Sequence, residues 1–194
     1  QLDKTEVTKF VNTMNQKYNY DKSELFQLFD EVKIEKRIKS LIKKAPERKL
    51  TWNGCTKKDK KCINYRGLFV NKNNIRGGKE FINANRYILD KAYYEFGVPR
   101  EIITAIIGIE TKYGKHLGKF KTFDTLASLS LSENRGRRSG FYRSELENFL
   151  LLCKENKFDP RNIYGSYAGA LGKPQFISSS YRNYAIDFDK DGEV

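Results

Sequence analysis

Glu110 is the residue of this 194-residue chain whose type and position best suit proton transfer. It lies in the stretch 100–118, REIITAIIGIETKYGKHLG. Ile103, Ile106 and Ile107 recur there at helical spacing, and Glu110 continues the apolar face that they predict. A carboxylate on a buried face holds its proton to higher pH, which suits a general acid at neutral pH.

A second interpretation of Glu110 stays open at this point. The glutamate can equally be a carboxylate at a helix end that pairs with Lys112 or another base. Gly97 and Pro99 come just before the helix and Gly114 follows it, and these residue types are typical of helix boundaries. In both interpretations we expect Glu110 to lie in the last turn.

Acidic residues alternate in the last segment, DFDKDGEV. Asp187, Asp189 and Asp191 match the first, third and fifth positions of an EF-hand calcium loop, and Gly192 matches the sixth. Alternating carboxylates repel one another unless a cation binds them. The loop pattern is unfinished because the sequence ends before its twelfth position, and the alternative is an acidic turn.

Glycine, serine and aromatic residues are concentrated in YGSYAGALGKPQFISSSYRNYA, from Tyr164 onwards. Glycines let a backbone approach a ligand closely, aromatic rings stack on sugars, and Ser or Gln side chains bond to hydroxyls. The segment therefore predicts one wall of a sugar-binding groove. The alternative is a tightly packed corner.

The bulk composition narrows the class of partner. A net charge of +13 favours polyanions such as nucleic acid, anionic lipid or an acidic cell-wall polymer, or else reflects a Lys-rich solubilising surface. Arginine-rich or RNA-binding signatures are absent from the sequence, so nucleic acid is not the expected partner. No apolar run is long enough to cross a membrane. Because no initiator Met is present, we expect Gln1 to begin a processed or trimmed chain.

Three cysteines give a hint about the compartment. Cys55 and Cys62 flank the polar TKKDKK, which favours a disulfide closing a short loop in an oxidising compartment. A zinc site there would need further ligands, and none are near in the sequence. Cys153 lies in an apolar run and is expected to be a buried thiol.

Helical periodicity dominates the chain, and sustained alternation is absent, so we predict a mainly α fold with minor strands. The best internal boundary is the loop-like stretch 46–78. We therefore predict an N-terminal helical segment over 1–78 and a core over 79–194. Individual helices are predicted over 3–19, from Ser23, through Ile34–Ile42, over 79–96, around Glu110, after Thr122 or Asp124, and over 139–155.

Several long motifs resemble the membrane-bound lytic murein transglycosylase B family, and the likeness extends over nearly the whole chain. They are IIGIETKYGKHLGKFKTFDTLASLSL, GSYAGALGKPQFISSSYRNYAIDFDKDG, VTKFVNTMNQKYNYDKSELF and YRGLFVNKNNIRGG. The resemblance implies a lysozyme-like α-rich core with an additional N-terminal helical domain. It also implies an enzyme that cleaves peptidoglycan between N-acetylmuramic acid and N-acetylglucosamine without water, leaving 1,6-anhydromuramic acid ends.

The resemblance assigns roles to residues that match the family's motifs. It implies that Glu110 is the single catalytic acid and base. Ser166 and Gln175 match substrate-binding positions, and Arg137 and Arg138 match a basic pair suited to carboxylates of the substrate. Taken alone, that basic pair would be interpreted as solvated surface.

The resemblance also implies a structural calcium ion and no catalytic cofactor. Asp187, Asp189 and Asp191 match its ligands, with Glu193 contributing a backbone carbonyl. This chain departs from the family in Lys173-Pro174, where a Tyr-Gly pair is usual. Family chains continue beyond the calcium loop, so we expect this sequence to be truncated there.

The implied partner is the peptidoglycan glycan strand and the implied location is the periplasm, with a lipid anchor to the outer membrane outside this sequence. Two alternatives within the cell wall are a hydrolysing muramidase and a non-catalytic peptidoglycan-binding fragment. A basic nucleic-acid binder is the alternative from another class.

Overall fold

The computed structural model describes residues 1–34, 36–43, 50–51, 63–192 and 194. Cys55 and Cys62 lie outside the described residues, so their disulfide stays a prediction. Glu193, the expected fourth contributor to a calcium site, also lies outside them.

The fold is mainly α, as predicted. Its α-helices are α1 (Lys4–Tyr18), α2 (Lys22–Asp30), α3 (Arg37–Lys43), α4 (Tyr65–Phe69), α5 (Lys72–Ala84), α6 (Arg86–Phe96), α7 (Arg100–Thr111), α8 (Thr122–Leu131), α9 (Ser139–Glu155) and α10 (Ser178–Tyr184). The strands β1 (Leu50–Thr51) and β2 (Ile63–Asn64) pair in parallel, and β3 (Phe120–Lys121) and β4 (Tyr164–Gly165) pair antiparallel. Across the described residues, no helix has both the length and the apolar character that a membrane crossing requires.

The chain divides into two compact units. One contains residues 1–42, 118–171 and 176–194, and the other contains 43–117 and 172–175. These units do not coincide with the predicted segments 1–78 and 79–194, because the first helices pack with residues that follow residue 118.

The first unit has the hydrophobic core. Its centre is the pair α8 and α9, and α1 and α2 add aromatic rings. The Phe10 and Phe29 rings meet edge to face at 5.7 Å, and Phe29 lies 5.1 Å from the Phe123 ring. Cys153 is buried among these residues as a free thiol, as predicted, and burial raises its pKa to about 12.

Short polar side chains begin several helices by accepting backbone hydrogen bonds that a helix start leaves unpaired. The Asp3 carboxylate accepts from the amides of Thr5 and Glu6, at 3.0 and 3.2 Å. Asp21 accepts from the Glu24 amide at 2.9 Å. Asp3 therefore caps the helix that the sequence predicts over 3–19.

The second unit differs from the sequence prediction in its helices. The single helix predicted over 79–96 is wrong, because α5 begins at Lys72 and a break at Asn85 separates it from α6. The Asn85 side chain donates to the Phe81 carbonyl at 2.8 Å, which offers the backbone a partner that competes with a continuous helix. The loop was predicted to extend through Gly77, but the residues from Lys72 onwards are helical and belong to α5.

Candidate active site

Glu110 lies in the last turn of α7, as predicted, but the buried face of that helix is not the predicted one. Thr104 and Thr111 are buried, at 4% and 1% exposure, whereas Ile106 is 49% exposed. The packed face runs through Gly108 and is rotated by about one residue from the isoleucine face, because α5 packs against it there.

The Glu110 carboxylate is exposed in this structure. The prediction that it occupies a buried face is therefore wrong, since α5 and α6 cover another side of α7. Within the described residues, Glu110 forms no ion pair with Lys112, although its exposed place at the helix end agrees with that part of the alternative interpretation. The glutamate side chain lies on the surface of the second unit.

Thr111, next to Glu110, connects α7 to a segment much later in the chain. Its hydroxyl lies 3.2 Å from the Ile107 carbonyl oxygen and 3.0 Å from the Lys173 carbonyl oxygen, and it accepts from the Gly114 amide at 3.0 Å. The segment 172–175 belongs to the same unit as α7. Thr111 therefore holds the end of α7 and the Lys173–Gln175 segment together.

Gln175 is placed by this segment with an uncommon backbone conformation, φ 52°. Its side-chain amide nitrogen donates to the carbonyl oxygens of Leu117 and Gly172, at 3.3 and 3.0 Å. Because the amide nitrogen is used for these two bonds, the amide carbonyl oxygen remains able to accept a hydrogen bond from a hydroxyl group. Glu110 and Gln175 are the two predicted site residues that share the second unit.

Ser166 belongs to the first unit and organises a tight loop. Its hydroxyl oxygen accepts from the amides of Ala168 and Ala170, at 3.2 and 3.0 Å, which leaves the hydroxyl proton to donate elsewhere. Gly118 allows the backbone of this loop to come close: a Cβ there would lie 2.0 Å from the Gly165 carbonyl oxygen, and its φ is 101°. This close approach joins two backbone segments, as in the tightly packed corner that the sequence left open as the alternative.

Arg137 and Arg138 are both exposed at the start of α9. The Arg138 guanidinium lies over the Phe141 ring at 4.6 Å and over the Tyr142 ring at 5.6 Å. Stacking leaves the edge of a guanidinium, which carries its hydrogen-bond donors, open to an anion. Both arginines are thus exposed and able to bind an anion, as a basic pair requires.

Asp187, Asp189 and Asp191 converge at the end of the described chain. One carboxylate oxygen from each lies within 4.8 Å of the others. The Asp187 carboxylate also accepts from the amides of Asp191 and Gly192, at 3.1 and 2.9 Å, which closes the loop around it. A set of carboxylate oxygens at this spacing fits a hard cation such as calcium.

Sequence reasoning missed Thr111 and Tyr113. Thr111 gave no signal, because its role depends on a carbonyl 62 positions away in the chain. Tyr113 did give one: Gly108 lies within the helix predicted around Glu110, and a glycine there marks a place where another group approaches closely.

The helical fold is that of a lysozyme-like domain of the lytic transglycosylase class. The family model described as the transglycosylase SLT domain matches residues 3–194. The chain belongs to this family, which confirms the resemblance found in the sequence.

Individual relatives agree with this assignment. Membrane-bound lytic murein transglycosylase B of Escherichia coli is 35% identical over 191 residues, covering 96% of this chain and 51% of that protein. The soluble lytic transglycosylase SltB1 of Pseudomonas aeruginosa has a TM-score of 0.84 and 37% identity, over 97% of this chain and 60% of that one. The E. coli lytic transglycosylase Slt35 in complex with calcium has a TM-score of 0.84 and 35% identity, over 97% and 56%. This chain thus spans about half the length of the curated relative.

Proposed function

We propose that this protein is a peptidoglycan lytic transglycosylase. It cleaves the β-1,4 bond between N-acetylmuramic acid and N-acetylglucosamine and leaves 1,6-anhydromuramic acid ends. The observation that carries this proposal is Glu110 at the end of α7, tied through Thr111 to the segment that contains Gln175, in a chain of the transglycosylase family.

Glu110 supplies both proton transfers of the reaction. Its carboxylic acid protonates the glycosidic oxygen as the bond from that oxygen to C1 of the muramic acid breaks. The resulting carboxylate then takes the proton from the 6-hydroxyl of the same sugar, whose oxygen forms the new bond to C1. One group starts and ends protonated, so the reaction requires no water and no second carboxylate, in contrast to ordinary glycosidases.

The remaining site residues bind the glycan strand. Ser166 has a hydroxyl proton to donate, and the Gln175 carbonyl oxygen accepts from sugar hydroxyls. Arg137 and Arg138 bind carboxylates of the substrate through charge-assisted hydrogen bonds. The substrate's own acetamido group supports the positive charge that develops at C1.

Calcium binds the loop of Asp187, Asp189 and Asp191, whose oxygens lie within 4.8 Å of one another. Its role is structural: it offsets the repulsion of the carboxylates and fixes the loop that follows α10. Catalysis itself uses no cofactor, since one carboxylate performs both proton transfers.

The protein acts in the bacterial periplasm on peptidoglycan strands, with attachment to the outer membrane through a lipid anchor. The name of the E. coli relative, a membrane-bound lytic murein transglycosylase, supports attachment to a membrane. The basic charge of +13 suits an acidic wall polymer. Nucleic acid is not a partner.

Replacing the proposed catalytic group tests this function directly. In the full encoded chain, Glu110→Gln keeps the size and hydrogen-bonding shape of the side chain but removes its exchangeable proton. We expect release of anhydromuropeptides from purified peptidoglycan to fall by about a thousandfold or more, with an unchanged circular dichroism spectrum. Glu101→Gln, an exposed carboxylate on the same helix, is the matched control and retains activity.

Mass spectrometry of the products separates the alternatives. The anhydro product is lighter by one water than the reducing end that a hydrolysing muramidase leaves. If the parent and Glu110→Gln both bind peptidoglycan and neither releases muropeptides, the protein is a non-catalytic wall-binding domain. Near-parental release by Glu110→Gln would show that the glutamate has been assigned wrongly.

A further inference from the structure

The turn that follows α7 has a backbone conformation that is uncommon outside glycine. Lys112, Tyr113 and Gly114 have φ angles of 48°, 64° and 83° in succession. For a residue with a Cβ, this left-handed region brings the side chain close to the backbone. Consecutive residues remain there only where their surroundings hold them.

The Tyr113 side chain provides that hold. Its hydroxyl donates to the Asn74 carbonyl oxygen at 2.5 Å, and its ring lies 5.9 Å from the Phe81 ring. The ring occupies a slot between α5 and α7. A Cβ on Gly77 would lie 2.7 Å from the ring carbon Cε2, and a Cβ on Gly108 would lie 2.6 Å from Cε1.

Both glycines occupy positions where helix propensity disfavours them. Gly77 is in the interior of α5 and Gly108 in the interior of α7. Any larger residue at position 77 or 108 would overlap the Tyr113 ring, so the slot explains why both positions are glycine. Tyr113 is therefore fitted between two helices that each leave space for it.

We propose that Tyr113 is a positioning residue for Glu110, acting through the end of α7; this rests on the proposed function. The amides of Lys112 and Tyr113 donate back to the carbonyls of Gly108 and Ile107, at 3.1 and 3.2 Å. Those bonds complete the last turn of α7, which carries Glu110. With its ring in the slot, Tyr113 keeps this turn formed and the glutamate in one place.

Gly108→Ala in the full encoded chain tests the slot. Alanine is the better helix former, but its methyl group excludes the ring. A displaced general acid loses rate even when the substrate still binds. We expect kcat for anhydromuropeptide release to fall by about tenfold or more, with KM within about twofold, at a temperature where circular dichroism shows the variant folded.

Gly140→Ala is the matched control, because Gly140 is in α9 with no atom within 4 Å of an added Cβ. It leaves kcat and KM unchanged. Tyr113→Phe is the conservative variant: it keeps the ring in the slot and loses only the bond to Asn74. We expect Tyr113→Phe to retain kcat within about fivefold of the parent. In Tyr113→Ala, which removes the ring, we expect kcat to fall as far as it does in Gly108→Ala.

Hydrogen exchange followed by NMR gives a readout that does not depend on activity. In Gly108→Ala, the amides of Lys112 and Tyr113 should exchange about tenfold faster or more, while Gly140→Ala leaves them at the parental rate. If both amides exchange at the parental rate in Gly108→Ala, the proposal that the ring in its slot keeps this turn formed is wrong.

Faster exchange with kcat within about twofold of the parent overturns the positioning role and leaves the proposed function intact. Full activity in Glu110→Gln overturns the assignment of Glu110 and, with it, the claim that Tyr113 positions a catalytic group, whereas a parent protein that releases no anhydromuropeptides overturns the proposed function. The kinetic and exchange measurements therefore distinguish the two failures.

Discussion

Glu145 is a carboxylate that the fold buries, in contrast to Glu110. It is 4% exposed on α9, and it accepts from the Ser179 amide at 2.9 Å and the Ser179 hydroxyl at 2.7 Å. Ser179 is at the start of α10, where backbone amides lack helical partners. Glu145 thus acts as a cap supplied by another helix, and it holds the start of α10, which precedes the loop of Asp187, Asp189 and Asp191.

Removing this cap should destabilise the protein measurably. We expect Glu145→Ala to lower the free energy of unfolding by about 2 kcal/mol, because hydrogen bonds to a charged acceptor are lost and the Ser179 amide is left unpaired. Ser179→Ala loses only the hydroxyl bond and should cost about 1 kcal/mol. Urea unfolding measures both.

The matched control for this substitution is Ser144→Ala, at an exposed position of α9. It should change the unfolding free energy by no more than about 0.5 kcal/mol. A loss for Glu145→Ala as small as that of the control would show that the Glu145–Ser179 bonds are not stabilising.

At the scale of helices, Glu6 connects α1 to two other parts of the first unit. Its carboxylate contacts Lys9 at 3.1 Å, Arg143 of α9 at 2.7 Å and Arg135 at 3.8 Å. The hydrogen bond from Lys9, followed by that from Arg143, lowers the pKa of Glu6 from its ordinary value of 4.5. A network shared by several partners stabilises more than an isolated surface pair.

This lowered pKa makes part of the stability depend on pH. Above 4.5 the Glu6 carboxylate is ionised in both folded and unfolded chains, so its ion pairs contribute fully. That contribution is lost as the pH falls through the folded-state pKa. We expect Glu6→Gln to be less stable than the parent by about 1 kcal/mol near neutral pH, and the difference to shrink at an acid pH well below 4.5, as the folded-state carboxylate takes up its proton.

Urea unfolding at both pH values checks this expectation. Glu80→Gln is the control, because the Glu80 side chain is 67% exposed and its pair with Arg76 is long, at 3.9 Å. It should change little at either pH. A Glu6→Gln penalty that is the same at both pH values would mean that charge is not the cause.

For the whole molecule, calcium should link the acidic loop to global stability. A ligand at about a hundred times its Kd stabilises the folded state by about 2.7 kcal/mol. In a chain that continues through the twelfth position of the loop, we expect calcium to raise the Tm by roughly 5 °C. Residues 1–194 alone should shift by less than about 1 °C, because the loop's bidentate ligand is missing.

Differential scanning calorimetry with calcium, and with magnesium as a comparison, measures this shift. Asp189→Ala should abolish it, whereas Asp30→Asn, at an exposed acidic position outside the loop, should leave it unchanged. An equal shift in residues 1–194 would mean that the three aspartates alone form the site.

The sequence by itself determined the mainly helical class, the place of Glu110 in the last turn of its helix, the calcium-loop spacing and the family. Each of these depends on residues close together in the chain or on long motifs. The helix over 139–155 was predicted with the bounds that α9 has, because its periodicity is sustained and its ends are clear.

Only the tertiary structure decided which face of α7 is buried, that Thr111 bonds to the Lys173 carbonyl, and that Tyr113 fills a slot between Gly77 and Gly108. These facts depend on partners distant in sequence. An isoleucine-rich helix carries apolar groups on more than one side, so periodicity cannot select the side that a neighbouring helix will cover. Gly77 likewise indicated a loop, because the Tyr113 ring that requires a glycine there is distant in the sequence.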